Sequence, residues 1–242
     1  MNRRSFFKFL GIGAATATAA VAPKMLAERT IDKVVSVKGS YSHGPFIFPL
    51  PWGDYEVYEE PREGYDYSIG VETRYGLGGE PSVVSVMRVG NGNRPCVQVA
   101  EFVSTQHDPA ELVPIIAKIA RRYGKKCIDT RGPLIVIEHV QAPGDTVQAL
   151  LKIMGFKRFH KATSAKGIEK DGWYTTKFSD PIMMNRFNSA VEEGWYEPKS
   201  KALHQALSLF DKNRNKHSLV RAAAQSYVGF HAFDAGELKR NG

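Results

Sequence analysis

The run Pro133–Val140, PLIVIEHV, constrains this chain most. It is continuously apolar, bounded by Gly132-Pro133, and ends on an acid, Glu138. A strand of this kind has no solvent face, so other elements must cover both of its sides. A carboxylate at its end is costly to bury unless it is paired or holds a metal. The fold class that follows is α/β, a sheet flanked by helices.

A second stretch supplies the strands beside it. Tyr67 to Val89, YSIGVETRYGLGGEPSVVSVMRV, reads as strand, glycine turn and strand. Gly76, Gly78 and Gly79 provide the turn, and Ser82–Val89 is β-branched and apolar. Asn91-Gly92-Asn93 marks another turn, and Cys96–Ser104 alternates as a third strand. Three strands joined by short turns make an antiparallel meander. Glu72 ends the first strand and Glu80 follows the turn. Two carboxylates at a strand end suit a divalent metal; two solvated hairpin glutamates are the alternative.

Helices account for much of the remainder. Asp108 caps and Pro109 opens a helix carrying Leu112, Ile115, Ile116 and Ile119 as an apolar stripe, closed by Gly124. Asp145 starts a helix over Thr146–Met154, and Phe156–His160 reads as a short strand. Ser179 and Pro181 begin a helix through Glu193, Ser200–Phe210 forms another, and Leu219–Phe233 is an Ala-rich final helix before a frayed tail. Residues 28–64 read as an extended arm rich in Pro and aromatics, with a short strand at Tyr55–Tyr58.

The first 27 residues carry a twin arginine, Arg3-Arg4, then Ser5-Phe6-Phe7-Lys8, a Gly/Ala-rich run Leu10–Val21, and small residues around Ala27. The pattern resembles a twin-arginine (Tat) export signal, read by the Tat translocase, and is too short and Ala-rich to span a bilayer stably. The alternative is an Ala-rich segment that no translocase reads. The segment also explains part of the formal charge of +8. Arg3, Arg4, Lys8 and Lys24 precede residue 28, and leaving them out takes Lys+Arg from 33 to 29 against 25 acids. A net +4 is a modest signal for a polyanionic partner. Cys96 and Cys127, far apart and in no CxxC pair, exclude a zinc framework and read as two buried thiols, with a disulfide as the alternative only if the chain is exported. The chain has no GxxxxGK[ST], no HExxH, no GxSxG and no dinucleotide GxGxxG, so nothing points to a small-molecule cofactor.

Several collinear motifs resemble one family. They are Val57-Tyr58-Glu59-Glu60-Pro61, Tyr67-Ser68-Ile69-Gly70-Val71-Glu72, Gly78-Gly79-Glu80-Pro81-Ser82-Val83, Val99-Ala100-Glu101-Phe102, Ile135-Val136-Ile137-Glu138 with Gly144, Gly172-Trp173-Tyr174-Thr175-Thr176 and Gly194-Trp195-Tyr196. Together, over residues 45–230, they resemble the nuclease domain of tailed-phage (or prophage) terminase large subunits, which has the ribonuclease-H-like fold. The resemblance implies a mixed sheet over 65–235, with a three-strand antiparallel meander plus parallel strands. It implies two-metal phosphodiester hydrolysis of double-stranded DNA with Mg2+ or Mn2+ during packaging. A separate terminase ATPase subunit or portal would be a partner, and the host cytoplasm the setting, against the periplasm that the Tat-like segment suggests.

Carried over residue by residue, Glu72, Glu80 and Glu138 would be metal ligands, with Glu72, Glu138 and His217 catalytic. Arg74, Lys177 and Arg186 are basic residues that could touch phosphates, each with a solvated charge as the alternative. The sequence also departs from the family. Glu stands at 72 and 80 where the family has Asp, and the late-helix His with paired Asp appears as His217-Ser218-Leu219. The family's ATPase motor has no counterpart. These departures leave three readings: an impaired terminase-type endonuclease, a non-cutting descendant that binds DNA or a partner, and an exported protein of unrelated role.

Overall fold

The computed structural model describes residues 46–50, 53–74, 80–90, 94–139, 142–163, 169–208 and 217–240. The Tat-like segment and the glycine turn at 76–79 lie outside the described residues.

The main sheet is built from β1 (Phe46–Leu50), β2 (Gly53–Val57), β3 (Tyr67–Glu72), β4 (Ser82–Arg88), β5 (Cys96–Ser104) and β6 (Leu134–Ile137). Their order is β1-β2-β5-β4-β3-β6, and the two-residue β9 (Tyr196–Glu197) pairs β5. The expected meander β3-β4-β5 is antiparallel throughout, whereas β6 runs parallel to β3. The parallel pair is reached by a crossover through α1 (Pro109–Gly124). β1 and β2 come from the stretch read as an extended arm and add two antiparallel strands on the β5 side.

Strand alternation divides the core into two layers. Ile69, Val71, Val84, Val86, Ile135 and Ile137 pack with α1 and α2 (Ala142–Ile153) through Leu112, Ile116, Val147 and Leu151. Val83, Met87, Leu134 and Val136 face α3 (Ser179–Glu192), α4 (Lys201–Ser208) and α5 (Ser218–Arg240) through Phe187, Leu203, Ala222 and Ala223. The continuous apolar run at β6 is thus covered on both sides, as its composition requires. A small hairpin, β7 (Lys161–Thr163) and β8 (Glu169–Asp171), completes the described elements.

The local signals act as their chemistry dictates. Asp108 accepts from the N–H groups of Ala110 and Glu111 at 2.8 and 2.9 Å, while the Glu111 carboxylate accepts from the Asp108 N–H, a full capping box. α2 begins three residues before Asp145, because Pro143 is tolerated in a first turn. Residues 156–160 do not form a named strand: the Ile135 N–H donates to the Arg158 carbonyl, and the His160 N–H to that of Ile135, one bridge along the edge of β6. α5 continues through Gly236 to Arg240. Among the described residues no helix is long and apolar enough to cross a membrane.

Candidate functional site

Two close approaches hold the strand ends and the last helix in place. On β3, Gly70 and Glu72 point to the same face, toward α5. A Cβ on Gly70 would lie 1.9 Å from the Ala222 carbonyl oxygen, so α5 crosses β3 backbone against backbone. At the end of β6, a Cβ on Gly144 would lie 2.0 Å from the Glu138 carbonyl oxygen, which seats the first turn of α2 against that residue.

Parallel pairing then brings the two acids together. Val71 pairs with Ile137, so Glu72 and Glu138 stand side by side at the same end of adjacent strands. Glu72 is fully buried at 0 % exposure, and Glu138 nearly so. α5 lays Arg221 and Gln225, one turn apart, across them. Arg221 Nε donates to Glu72 Oε1 at 3.2 Å, and Gln225 Nε2 donates to Glu72 Oε2 at 2.7 Å. Arg221 Nη2 donates to Glu138 Oε1, and its Nη1 to Asp180 Oδ1 at 2.6 Å. The Thr175 hydroxyl donates to Glu138 and accepts from Arg221 Nη2 at 3.1 Å. One guanidinium, 5 % exposed, therefore joins three carboxylates from β3, the end of β6 and the start of α3.

The electrostatics follow from that geometry. Burial drives the Glu72 carboxyl well above the usual carboxylate range, and its hydrogen-bonded neighbour Glu138 adds to the rise against the pull of Arg221 and Arg74. Burial also pushes Glu138 up, but the hydrogen bond from Glu72, the charge of Arg221 and the Thr175 hydroxyl outweigh it and hold Glu138 low. Burial lowers the Arg221 guanidinium, and Glu72, Glu138 and Asp180 more than restore it, so it is raised and stays charged.

The remaining anticipated residues lie further out. Glu80 is 48 % exposed and faces Arg74 Nε at 3.3 Å, while Arg74 Nη2 reaches Glu72 at 2.6 Å. Arg74 thus bridges two acids rather than standing free for a phosphate. His217 is exposed just ahead of α5, where its carbonyl accepts the Arg221 N–H at 3.0 Å. Lys177 and Arg186 are exposed on α3 and the loop before it. The sequence reading did not assign Asp180, Thr175, Arg221 or Gln225 to the cluster. Arg221 and Gln225, spaced by four on the Ala-rich buried face of the last helix, were the signal available.

Solved structures share this chain path. The large terminase nuclease of thermophilic phage G20c matches with bound magnesium at TM-score 0.54 and 13 % identity, covering 84 % of this chain and 96 % of that one. The same nuclease with bound zinc matches at TM-score 0.50 and 15 % identity, over 84 % of this chain and 98 % of that one. The human cytomegalovirus terminase nuclease domain, soaked with Mn and inhibitor-bound, matches at TM-score 0.49 and 11 % identity, over 68 % and 83 %. No family model matches the sequence, and no curated protein is significantly similar to it. The fold is that of a terminase large-subunit nuclease domain.

The donor set here does not fit a pair of divalent ions. A two-metal centre needs several ionised carboxylates free to ligate. Glu72, Glu138 and Asp180 are all bonded to a guanidinium, and Glu72 also to a second one. Glu80 is turned to Arg74 at the surface. Two fixed positive charges already offset the acids, and a further cation would meet Arg221 in their midst. Among the described residues no group of three or more His, Cys, Asp and Glu is arranged to hold a metal ion.

Proposed function

We propose that this protein uses the terminase nuclease fold to engage DNA and does not cut it by metal-dependent hydrolysis. The observation that carries the reading is the Arg221 guanidinium bonded to Glu72, Glu138 and Asp180. DNA as partner is supported by the likeness to the phage terminase nuclease fold and by the exposed Lys177 on the loop before α3. A role beside a separate packaging ATPase subunit fits the same likeness. The side-by-side placement of Glu72 and Glu138 favours the second reading, an active two-metal endonuclease using Mg2+ or Mn2+.

The test separates them. The full chain is incubated with supercoiled plasmid in Mg2+, Mn2+ or EDTA, beside Glu138→Ala, and duplex binding is followed by fluorescence anisotropy against salt. Salt-sensitive binding without nicking is the expected outcome. Metal-dependent cutting that disappears in Glu138→Ala would overturn the proposal in favour of the endonuclease. Absence of duplex binding at low salt would remove DNA as the partner.

A further inference from the structure

We propose that the ends of α1 and α2 form a surface that docks on an anionic phospholipid membrane. The surface lies at the strand ends opposite Glu72 and Glu138, so what it binds is independent of the reading above. Two stretches build it, residues 121–131 and 152–158. The Arg121 guanidinium lies over the Phe156 ring, 5.5 Å from its centroid. Arg158 donates to the Gly132 carbonyl at 3.0 Å and pairs with Asp129 at 3.1 Å. These contacts fix the segment after α1 beside the end of α2.

Cations on this edge exceed what its carboxylates match. Lys126, Arg131 and Lys152 are paired with Glu63, Asp129 and Asp171. Arg121, Lys125 and Lys157 are exposed and form no ion pair among the described residues. A cation in the last turn of a helix complements its dipole, which accounts for Arg121. The dipole accounts neither for Lys157, beyond the end of α2, nor for the apolar side chains set among the cations. Ile128 is 65 % exposed and Ile153 is 80 % exposed. In sequence Ile128 stands between Lys126 and Arg131, and Ile153 between Lys152 and Lys157. Single apolar side chains are ordinary on a protein surface. Two aliphatic ones within an unmatched positive field fit the boundary of a bilayer, where lipid phosphates neutralise the cations and the isoleucines leave water among the acyl chains. A duplex backbone would take up the charge but give the isoleucines nothing apolar to enter. A single strand would need open aromatic faces, and the Phe156 ring already carries Arg121.

The experiment is cosedimentation of the full chain with phosphatidylcholine vesicles, with and without phosphatidylglycerol, at rising salt, beside fluorescence anisotropy on a labelled DNA duplex. The wild type should sediment only with vesicles that contain phosphatidylglycerol, and salt should release it. Each cation near an anionic surface adds about fivefold in affinity, so Lys125→Gln with Lys157→Gln should bind those vesicles about 25-fold more weakly. Ile128→Ser with Ile153→Ser should bind them at least about tenfold more weakly, and should bind the duplex as the wild type does. Both pairs change exposed side chains, and circular dichroism checks that each keeps the fold. A wild type indifferent to phosphatidylglycerol overturns the proposal. So does a lysine or isoleucine pair that sediments as the wild type does, because the attachment then belongs to another part of the chain. Duplex binding lost in the lysine pair while vesicle binding stays assigns the surface to nucleic acid and overturns it as well. A wild type that binds vesicles and no duplex refutes the proposed function alone.

Discussion

Gly70→Ala tests how α5 is held to the sheet, and so how Arg221 reaches the acids. Gly within a strand normally costs stability, and Ala there should add about 0.5–1 kcal/mol wherever space exists. No space exists here. The new Cβ would stand 1.9 Å from the Ala222 oxygen, 2.7 Å from the Ser226 nitrogen and 3.0 Å from the Ala222 carbonyl carbon. All three are backbone atoms, so no rotamer change relieves the clash. Restoring ordinary contact requires α5 to move away by roughly 1.5 Å, and over-packing of this kind costs about 1–3 kcal/mol when side chains can yield. Helix backbone yields less, and the same displacement pulls Arg221 from Glu72, so about 3 kcal/mol or more is expected. For a body of this size that lowers the melting temperature by about 6–12 °C. The assay is thermal unfolding by circular dichroism, with Gly64→Asn as the comparison. Gly64 has φ +82° and no heavy atom within 4 Å of an added Cβ, so only backbone strain, about 1 kcal/mol, applies there. A Gly70→Ala protein melting with or above the wild type would refute the close crossing.

Four further outcomes follow from buried charge. Burial holds the Glu101 carboxyl up to about 7, although Ser200 and Gln98 hydrogen-bond to it at 2.9 Å. A carboxyl raised in the folded state loses stability as pH climbs from its unfolded value through its folded one, so Glu101→Gln should match the wild type below about pH 4 and exceed it by about 3 kcal/mol above pH 8. By the same sign, Glu72→Gln should remove a decline in stability that the wild type shows above the ordinary Glu range. Glu138 is held low, so its contribution is present above that range and lost in acid; Glu138→Gln should therefore destabilise at neutral pH, and urea unfolding across pH reads both variants. At the opposite strand ends, Arg158 bonds Asp66 through both terminal nitrogens at 2.7 Å and the Gly132 carbonyl at 3.0 Å. Arg158→Met should cost about 3–5 kcal/mol in urea melts, and Arg158→Lys should not recover it, because an ammonium cannot make the fork.

What the sequence disclosed is what short-range chemistry specifies. The Asp108 cap, the alternation of Cys96–Ser104 and the two-sided burial of Leu134–Ile137 each follow from neighbours within a few positions. The placement of Glu72 beside Glu138 came from the family resemblance alone, since strand spacing paired Glu72 with Glu80; the parallel register of β3 and β6 is what puts those strand ends together. β1 and β9 were not, since each owes its pairing to β2 or β5 and little to its own pattern. Arg221 is the instructive omission. It lies 149 positions from Glu72 and 83 from Glu138, in a helix whose alanines signal only close packing. Ser218 and Leu219 stand where the resemblance implies acids, and Arg221 follows Leu219 by two residues. The sum of charge within reach of Glu72 and Glu138 decides whether a metal is drawn in or shut out. An arginine at the centre of an acid cluster changes that sum as surely as deleting an acid does, and a guanidinium there satisfies the same carboxylates without the chemistry a metal would bring.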